Sequence, residues 1–273
     1  MIEILLSVYN GEKYLNQQID SIINQTNQDW ILKIRNDGSQ DDSETIIADY
    51  CKRFSDKIIA FNEPKGNIGL VKSLNCLLSF EPYGDYVMFS DQDDVWLPKK
   101  IELTLNELYS VQKGQKNVPI MICTDAICVD ANLNIINKSF FKSQKFQHGI
   151  VGDKIKMLAL NQVQGCTIML NKEARNRICP LPEFMKIHDM WVGVISAHYG
   201  ISSFLPIPTM LYRQHNMNVL GEQKINLNYY LSRIKSFPYL IKSRIKLFRY
   251  LPFKVPIMKW LYYKIYYCLK RIL

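Results

Sequence analysis

The stretch "FSDQDDVWLP" sets Asp91, Asp93 and Asp94 within four positions, directly after the β-type run "DYVMFS". Carboxylates this close raise one another's pKa unless a cation or a proton sits among them. Asp91 and Asp93, at i and i+2 where a strand gives way to a turn, can both aim at one point beyond the strand end. Oxygen donors at such a point suit a hard divalent cation, Mg or Mn, which keeps part of its water and takes substrate phosphates. The plainer alternative is an acidic turn that caps the helix starting near Pro98, with Asp93 or Asp94 as the cap.

Other residues suggest chemistry of the same kind. In "RNDGSQDDS", Asp37 is placed to accept a hydrogen bond from a ring N–H of a pyrimidine base, and Gly38 permits the tight turn; a helix-entry loop is the alternative. Tyr9 follows the first β run and suits stacking on a base or sugar, or simple packing. "IHDMWVG" puts His188 and Asp189 at a helix start, where Asp189 either caps the helix or takes a proton from a hydroxyl nucleophile. "YRQHNMNV" offers Arg213 to neutralise a diphosphate and His215 as a third metal ligand, or as an ordinary loop histidine.

These residues need elements to position them. Through the first 125 residues β-type runs ("IEILLSV", "WILKIR", "KIIAFN", "DYVMFS") alternate with helical ones ("EKYLNQQIDSIINQ", "SETIIADYCKRF", "LVKSLNCLLSF", "KKIELTLNELYSVQ"). Such alternation predicts α/β architecture, with a parallel sheet covered on both faces, and the near-continuous Ile, Leu and Val of the strands agree. The polar segments "YNGE", "NDGSQDDS" and "DQDD" then gather at the carboxyl edge, where open α/β sheets bind ligands. Beyond Pro119 the pattern is mixed: "IMICTDAICVD" and "NLNIIN" predict a strand and hairpin, "DKIKMLAL" a helix, "GCTIMLNK" a strand, "HDMWVGVISAHYG" a helix, and "ISSFLPIP" a strand.

Taken in order and spacing, "LLSVYNGEKYLNQQIDSIINQT", "NDGSQDDS", "GNIGLVKSLN", "FSDQDDVWLPKKI", "HDMW" and "LYRQHNMNVLG" resemble family 2 glycosyltransferases, and most closely the bacterial rhamnosyltransferases that build surface polysaccharides. The resemblance runs from about Ile2 to Gly221. It implies a GT-A fold, with a mostly parallel central sheet and helices on both faces. It also implies roles: Ser7, Tyr9, Glu12, Asp37, Lys72, Asp91 and Gln92 for the nucleotide sugar, and Asp91, Asp93 and His215 for the metal. Asp189 falls on the catalytic base, in "HD" where many relatives have "ED". Trp96, Gln164, Gly165, His188 and Trp191 fall where the acceptor would lie. Many relatives carry an Arg at the position of Leu74, which leaves Lys72 as a substitute contact for the diphosphate. The implied reaction is a single inverting displacement from a dTDP- or UDP-linked sugar to a glycan or lipid-linked acceptor, with dTDP-rhamnose the preferred donor and a UDP-hexose its rival. A non-catalytic nucleotide- or carbohydrate-binding module would need neither the acid pair nor Asp189.

Charge divides the chain. Residues 221–273 carry 12 Lys+Arg against one acid, net +11, while the remaining 220 residues carry 22 against 24, net −2. The body therefore offers no basic face of the kind nucleic acid requires at the level of total charge. We expect a domain over 1–220, with a nucleotide-sugar half to about 120 and an acceptor half from about 121, followed by a basic aromatic helical tail over 221–273. Interleaved aromatics and lysines suit an anionic membrane surface, and a helix packed on the body or on another copy is the alternative. Seven cysteines without metal-site spacing suggest reduced thiols in the cytoplasm. Without a signal peptide or an 18-residue apolar run, the expected location is peripheral, at the inner face of the cell membrane.

Overall fold

The computed structural model describes residues 1–61, 66–81, 84–215 and 237–272, with backbone alone over 237–243. The first half alternates strictly: β1 (Ile2–Val8), α1 (Glu12–Ile23), β2 (Trp30–Asn36), α2 (Ser43–Arg53), β3 (Ile58–Ala60), α3 (Leu70–Ser79) and β4 (Tyr86–Ser90). A two-residue strand, β5 (Val95–Trp96), precedes α4 (Lys100–Gln112). Strands β3, β2, β1 and β4 lie side by side and parallel, with Val8 opposite Asn36 and Leu6 opposite Ser90. That register brings "YNGE", "NDGS" and "DQDD" to one edge, as the sequence pattern predicts.

The second half completes the site by reversing direction. It comprises β6 (Ile120–Val129), β7 (Ile135–Asn137), α5 (Phe140–Ser143), α6 (Lys154–Ala159), a single tight turn at Gly165–Thr167, β8 (Ile168–Asn171), α7 (Lys172–Ile178), α8 (Asp189–Tyr199) and β9 (Ile201–Arg213). Strand β8 inserts antiparallel between β4 and β6, pairing Met88 with Met169 and Met121 with Leu170. Its entry, "QGCT", therefore sits at the exit of β4 beside the acidic run. Strand β9 runs parallel to β6 and antiparallel to β5, with Val95 opposite Leu211, so its end at Arg213 returns to the same edge.

Three elements were not legible in the pattern. Helix α7 follows directly from β8 because Asn171 caps it, its side chain accepting from Ala174 N at 3.0 Å. Helix α5 and strand β5 are too short to leave a periodic signal. The run expected to end at "ISSFLPIP" instead continues to Arg213 as one strand, bulged against β6 around Asp125.

The sheet separates two apolar layers. One face packs Leu15, Ile19, Ile47, Tyr50, Ile101 and Leu108 of α1, α2 and α4. The other packs α3, α6, α7 and α8, together with Leu247, Leu251 and Tyr267 of the tail. The tail forms α9 (Phe237–Tyr250) and α10 (Ile257–Ile272). Helix α10 lies on the body: Trp260 Nε1 donates to Leu158 O at 3.2 Å, Lys264 Nζ to Ala159 O at 2.9 Å, and Arg271 Nε to Gln144 O at 2.8 Å. The expected boundary at residue 221 lies outside the described residues. Among the described residues no helix is long and apolar enough to cross a membrane.

Candidate active site at the carboxyl edge of the sheet

The acidic run leaves β4 and folds back against the start of β8. Oxygens of Asp91 and Asp94 and the Cys166 sulfur all lie within 4.8 Å of one another. Asp94 is fully buried; its Oδ1 accepts from Arg213 N at 3.0 Å, and its Oδ2 has no partner among the described residues. Burial, then the charges of Asp93 and Asp189, push the Asp91 carboxyl up to about 7. Asp94 is raised well above its usual value by burial and by Asp93 and Asp91.

A cation does lie within the field of these acids, one that sequence reasoning passed over. Lys100, at the first turn of α4, is fully buried; burial lowers its ammonium to about 8 against the fields of Cys166, Asp94 and Asp91. Its Nζ lies 4.9 Å from the Trp96 ring centroid and 3.3 Å from Thr209 Oγ1. The available signal was a lysine six positions beyond the last of three acids, in "DDVWLPKK".

The expected metal set divides. His215 Nε2 lies 2.8 Å from Asp93 Oδ2, so these two residues pair with each other, while Asp91 groups with Asp94 and Cys166. Burial holds the Cys166 thiol well above its ordinary pKa, and a hard cation prefers oxygen to a neutral sulfur. The orphaned Asp94 Oδ2 and the proton-retaining Asp91 are the donors that fit a divalent ion here. Arg213, expected to face a diphosphate, is a structural residue. Its guanidinium donates to Asp93 O and Ala131 O at 2.7 Å and to Gln17 Oε1 at 2.5 Å, over the Tyr14 ring.

Tyr9 stands 46% exposed at the exit of β1. The Gln92 side chain clamps its backbone, Oε1 accepting from Tyr9 N at 2.7 Å and Nε2 donating to Tyr9 O at 3.0 Å. The exits of β1 and β4 are thereby tied together. Ser7 Oγ donates to Ser73 Oγ at 2.7 Å, fixing α3 to β1. Glu12 serves the loops: its carboxylate accepts from Asp42 N at 2.9 Å, and its own N–H donates to Asp41 Oδ2 at 3.0 Å, so each residue caps the other's helix.

Asp37 is held by its neighbours. It is 2% exposed, paired with Arg35, and accepts from Ile68 N at 3.0 Å and Gly69 N at 2.9 Å. Its oxygens organise the 66–69 loop. Lys72 is half-exposed, 3.7 Å from Glu183 in the segment before α8.

In the second half of the chain, Asp189 opens α8 with its side chain 15% exposed, near enough for its charge to raise Asp91. His188 is 3% exposed, and both ring nitrogens lack partners among the described residues, as does Gln164 Nε2. His188 Nδ1 is 3.6 Å from Asp189 Oδ1, too far for a hydrogen bond, and burial holds the imidazole below its usual pKa and so neutral. Gly165 lies directly against this pair. The two tryptophans are packing residues. Trp96 is 2% exposed beneath Lys100, and Trp191 is 6% exposed with Nε1 donating to Ile178 O at 2.8 Å.

Residues 3–121 match the family model described as glycosyl transferase family 2. Residues 3–121 thus carry a glycosyl transferase family 2 domain. An uncharacterised glycosyltransferase of Rickettsia prowazekii is 26% identical over 194 residues, covering 70% of this chain and 57% of that one. The chain thus spans little more than half the length of that relative. The dTDP-rhamnosyl transferase RfbG of Shigella flexneri is 25% identical over 237 residues, 79% of this chain and 73% of RfbG. Among solved structures, Staphylococcus aureus TarS residues 1–349 in complex with UDP-GlcNAc superposes with a TM-score of 0.57 at 16% identity, covering 80% of this chain and 59% of TarS. That likeness establishes the GT-A fold of this chain.

Proposed function

We propose that this chain is a metal-dependent inverting glycosyltransferase. It moves a sugar from a nucleoside diphosphate to a hydroxyl of a glycan or lipid-linked acceptor, in the synthesis of a cell-surface polysaccharide. One observation carries the reading: Asp189 Oδ1 lies against Gly165, 3.0 Å from where its Cβ would stand, and the next residue, Cys166, groups with Asp91 and Asp94. A base candidate and a diphosphate-facing acid cluster therefore share one cleft edge.

In this reading Tyr9 offers its exposed ring to the base or ribose, in a position fixed by Gln92. A divalent ion, Mg or Mn, held by Asp91 and its neighbours, would supply positive charge against the leaving diphosphate. Asp189 takes the proton of the acceptor hydroxyl, whose oxygen attacks the anomeric carbon from the face opposite the nucleotide. The bond from that carbon to the diphosphate oxygen breaks, the electron pair leaves with the nucleoside diphosphate, and the configuration inverts. Neutral His188 and Gln164, buried and unpartnered, have hydrogen-bonding capacity for sugar hydroxyls.

The donor we favour is dTDP-rhamnose, supported by RfbG and by the wording of "SDQDDVW" and "YRQHNMNVLG". A UDP-hexose is the second reading, favoured by the TarS likeness. The basic tail supports a station at the anionic inner face of the cell membrane. Incubating the full chain with a panel of nucleotide sugars and Mn, and following nucleoside diphosphate release, tests the reading. Release from dTDP-rhamnose that EDTA abolishes is the expected result; release from a UDP-hexose alone overturns the donor, and no release from any donor overturns the activity.

A further inference from the structure

Helix α10 is packed with its apolar face outward. A helix lying on a globular body ordinarily buries its aliphatic stripe and turns its polar residues to water. Here the inward stripe is Trp260, Tyr263, Lys264, Tyr267 and Arg271. Their polar tips meet α6 carbonyls and Gln144, and the Tyr263 and Tyr267 rings stack at 5.9 Å. The outward stripe is Ile257, Met258, Leu261, Tyr262, Ile265 and Leu269, with Met258 80%, Tyr262 61% and Ile265 59% exposed. Because the body is already satisfied by the polar-tipped face, rolling the helix over would break three hydrogen bonds to buried carbonyls. The exposed stripe is therefore built into the fold. Contiguous apolar surface of this kind on a soluble face marks a contact site.

We propose that this outward face of α10 is a membrane-docking surface that enters the headgroup layer of an anionic bilayer, with the helix lying in the membrane plane. Charge selects the occupant. From residue 223 to the end the chain has no Asp or Glu. Lys259 and Lys270 border the apolar stripe, their ammonium groups 6.0 Å from the Tyr263 ring and 5.5 Å from the Tyr266 ring. Phosphate groups of anionic lipids answer such a border, while lysine–tyrosine neighbours suit the interface depth. A second copy of the chain would bring the same lysines together without a single acid from this segment to offset them. A helix of 16 residues is about 24 Å long. It is not apolar enough to cross a membrane, which leaves the in-plane arrangement. The docking surface adds to the membrane station of the proposed function, and it is tested without donor sugar, so its failure leaves the transferase reading intact.

The test is flotation of the full chain with vesicles of phosphatidylglycerol and phosphatidylcholine, beside vesicles of phosphatidylcholine alone. The wild-type chain is expected to float with the anionic vesicles and less so at high salt. Met258→Glu with Ile265→Glu should reduce binding tenfold or more, on the order of the loss of two buried apolar side chains, at unchanged melting temperature because both positions are exposed. Met258→Leu with Ile265→Val should retain binding, and Lys259→Glu with Lys270→Glu should lower it on anionic vesicles alone. The proposal is overturned if the double glutamate variant floats like the wild type, or if phosphatidylcholine alone binds the chain equally well. It is also overturned if the chain ignores vesicles and forms a dimer that the glutamates split.

Discussion

The imidazole of His188 fills the space that a side chain on residue 165 would need: a Cβ at Gly165 would meet Cε1 at 2.5 Å and Nε2 at 2.6 Å. The same Cβ would come to 3.0 Å from Asp189 Oδ1. The turn entering β8 and the first turn of α8 are therefore in direct contact, and through β8 the base candidate is registered against the exit of β4. Glycine is required here by close approach.

Gly165→Ala should push the His188 ring aside and carry Asp189 with it. Displacement of a reacting group by about 1 Å costs on the order of 10²-fold in turnover. We expect turnover to fall by that order with donor affinity little changed, since Tyr9 is carried by the exit of β1. Steady-state kinetics with varied donor separates the two, and a variant of wild-type turnover would remove Gly165 from the positioning of the base.

Asp189→Asn keeps the shape of the side chain and its place in the first turn while removing the proton acceptor. Turnover should drop by ~10² or more, with nucleotide-sugar binding retained by calorimetry. Equal loss of donor binding would instead assign Asp189 to the donor, and normal turnover would make it a helix-end residue only.

The parallel half of the fold was legible because each local pattern there is an element and neighbours in sequence are neighbours in space. The antiparallel insertion of β8 between β4 and β6 was not, since pairing over 80 residues leaves no local mark. Site residues divide in the same way. Asp91 and Asp189 could be singled out from type and position at element ends. What Asp37 and Arg213 do depends on which partner reaches them, Arg35 and the Ile68 amide in one case and Gln17 and Ala131 in the other. Trp96 and Trp191 show the limit of composition, since an aromatic beside a site reads alike whether it faces a sugar or a core.

Metal binding should depend on pH in a defined direction. Asp91 titrates near 7 in the fold against an ordinary value of 3.8, so between those values the native state holds a proton that the unfolded chain has released. Its contribution to stability therefore falls as pH rises through that window. A divalent ion competes with that proton. Added Mn should raise the melting temperature more at pH 7.5 than at pH 5.5, a difference that shrinks in Asp91→Asn. An increment that is the same at both pH values would mean that the ion binds away from Asp91.

Removing the tail should damage the body and not merely its surface chemistry. Leu247, Leu251 and Tyr267 are all less than 9% exposed in the core that α6 and α8 share, and the carbonyls of Leu158, Ala159 and Gln144 take their donors from α10. Buried side chains of this size contribute about 1.5–3 kcal/mol each, and a domain holds only about 5–15 kcal/mol in total. A chain ending at residue 221 should therefore lose much of its stability and aggregate through the uncovered face of α6, seen as a lowered melting temperature and light scattering. A truncated chain that stayed monodisperse and melted as before would show that α10 adds no stability to the body. The surface substitutions at Met258 and Ile265 isolate docking from this effect, because they alter the outward stripe and leave the inward one in place.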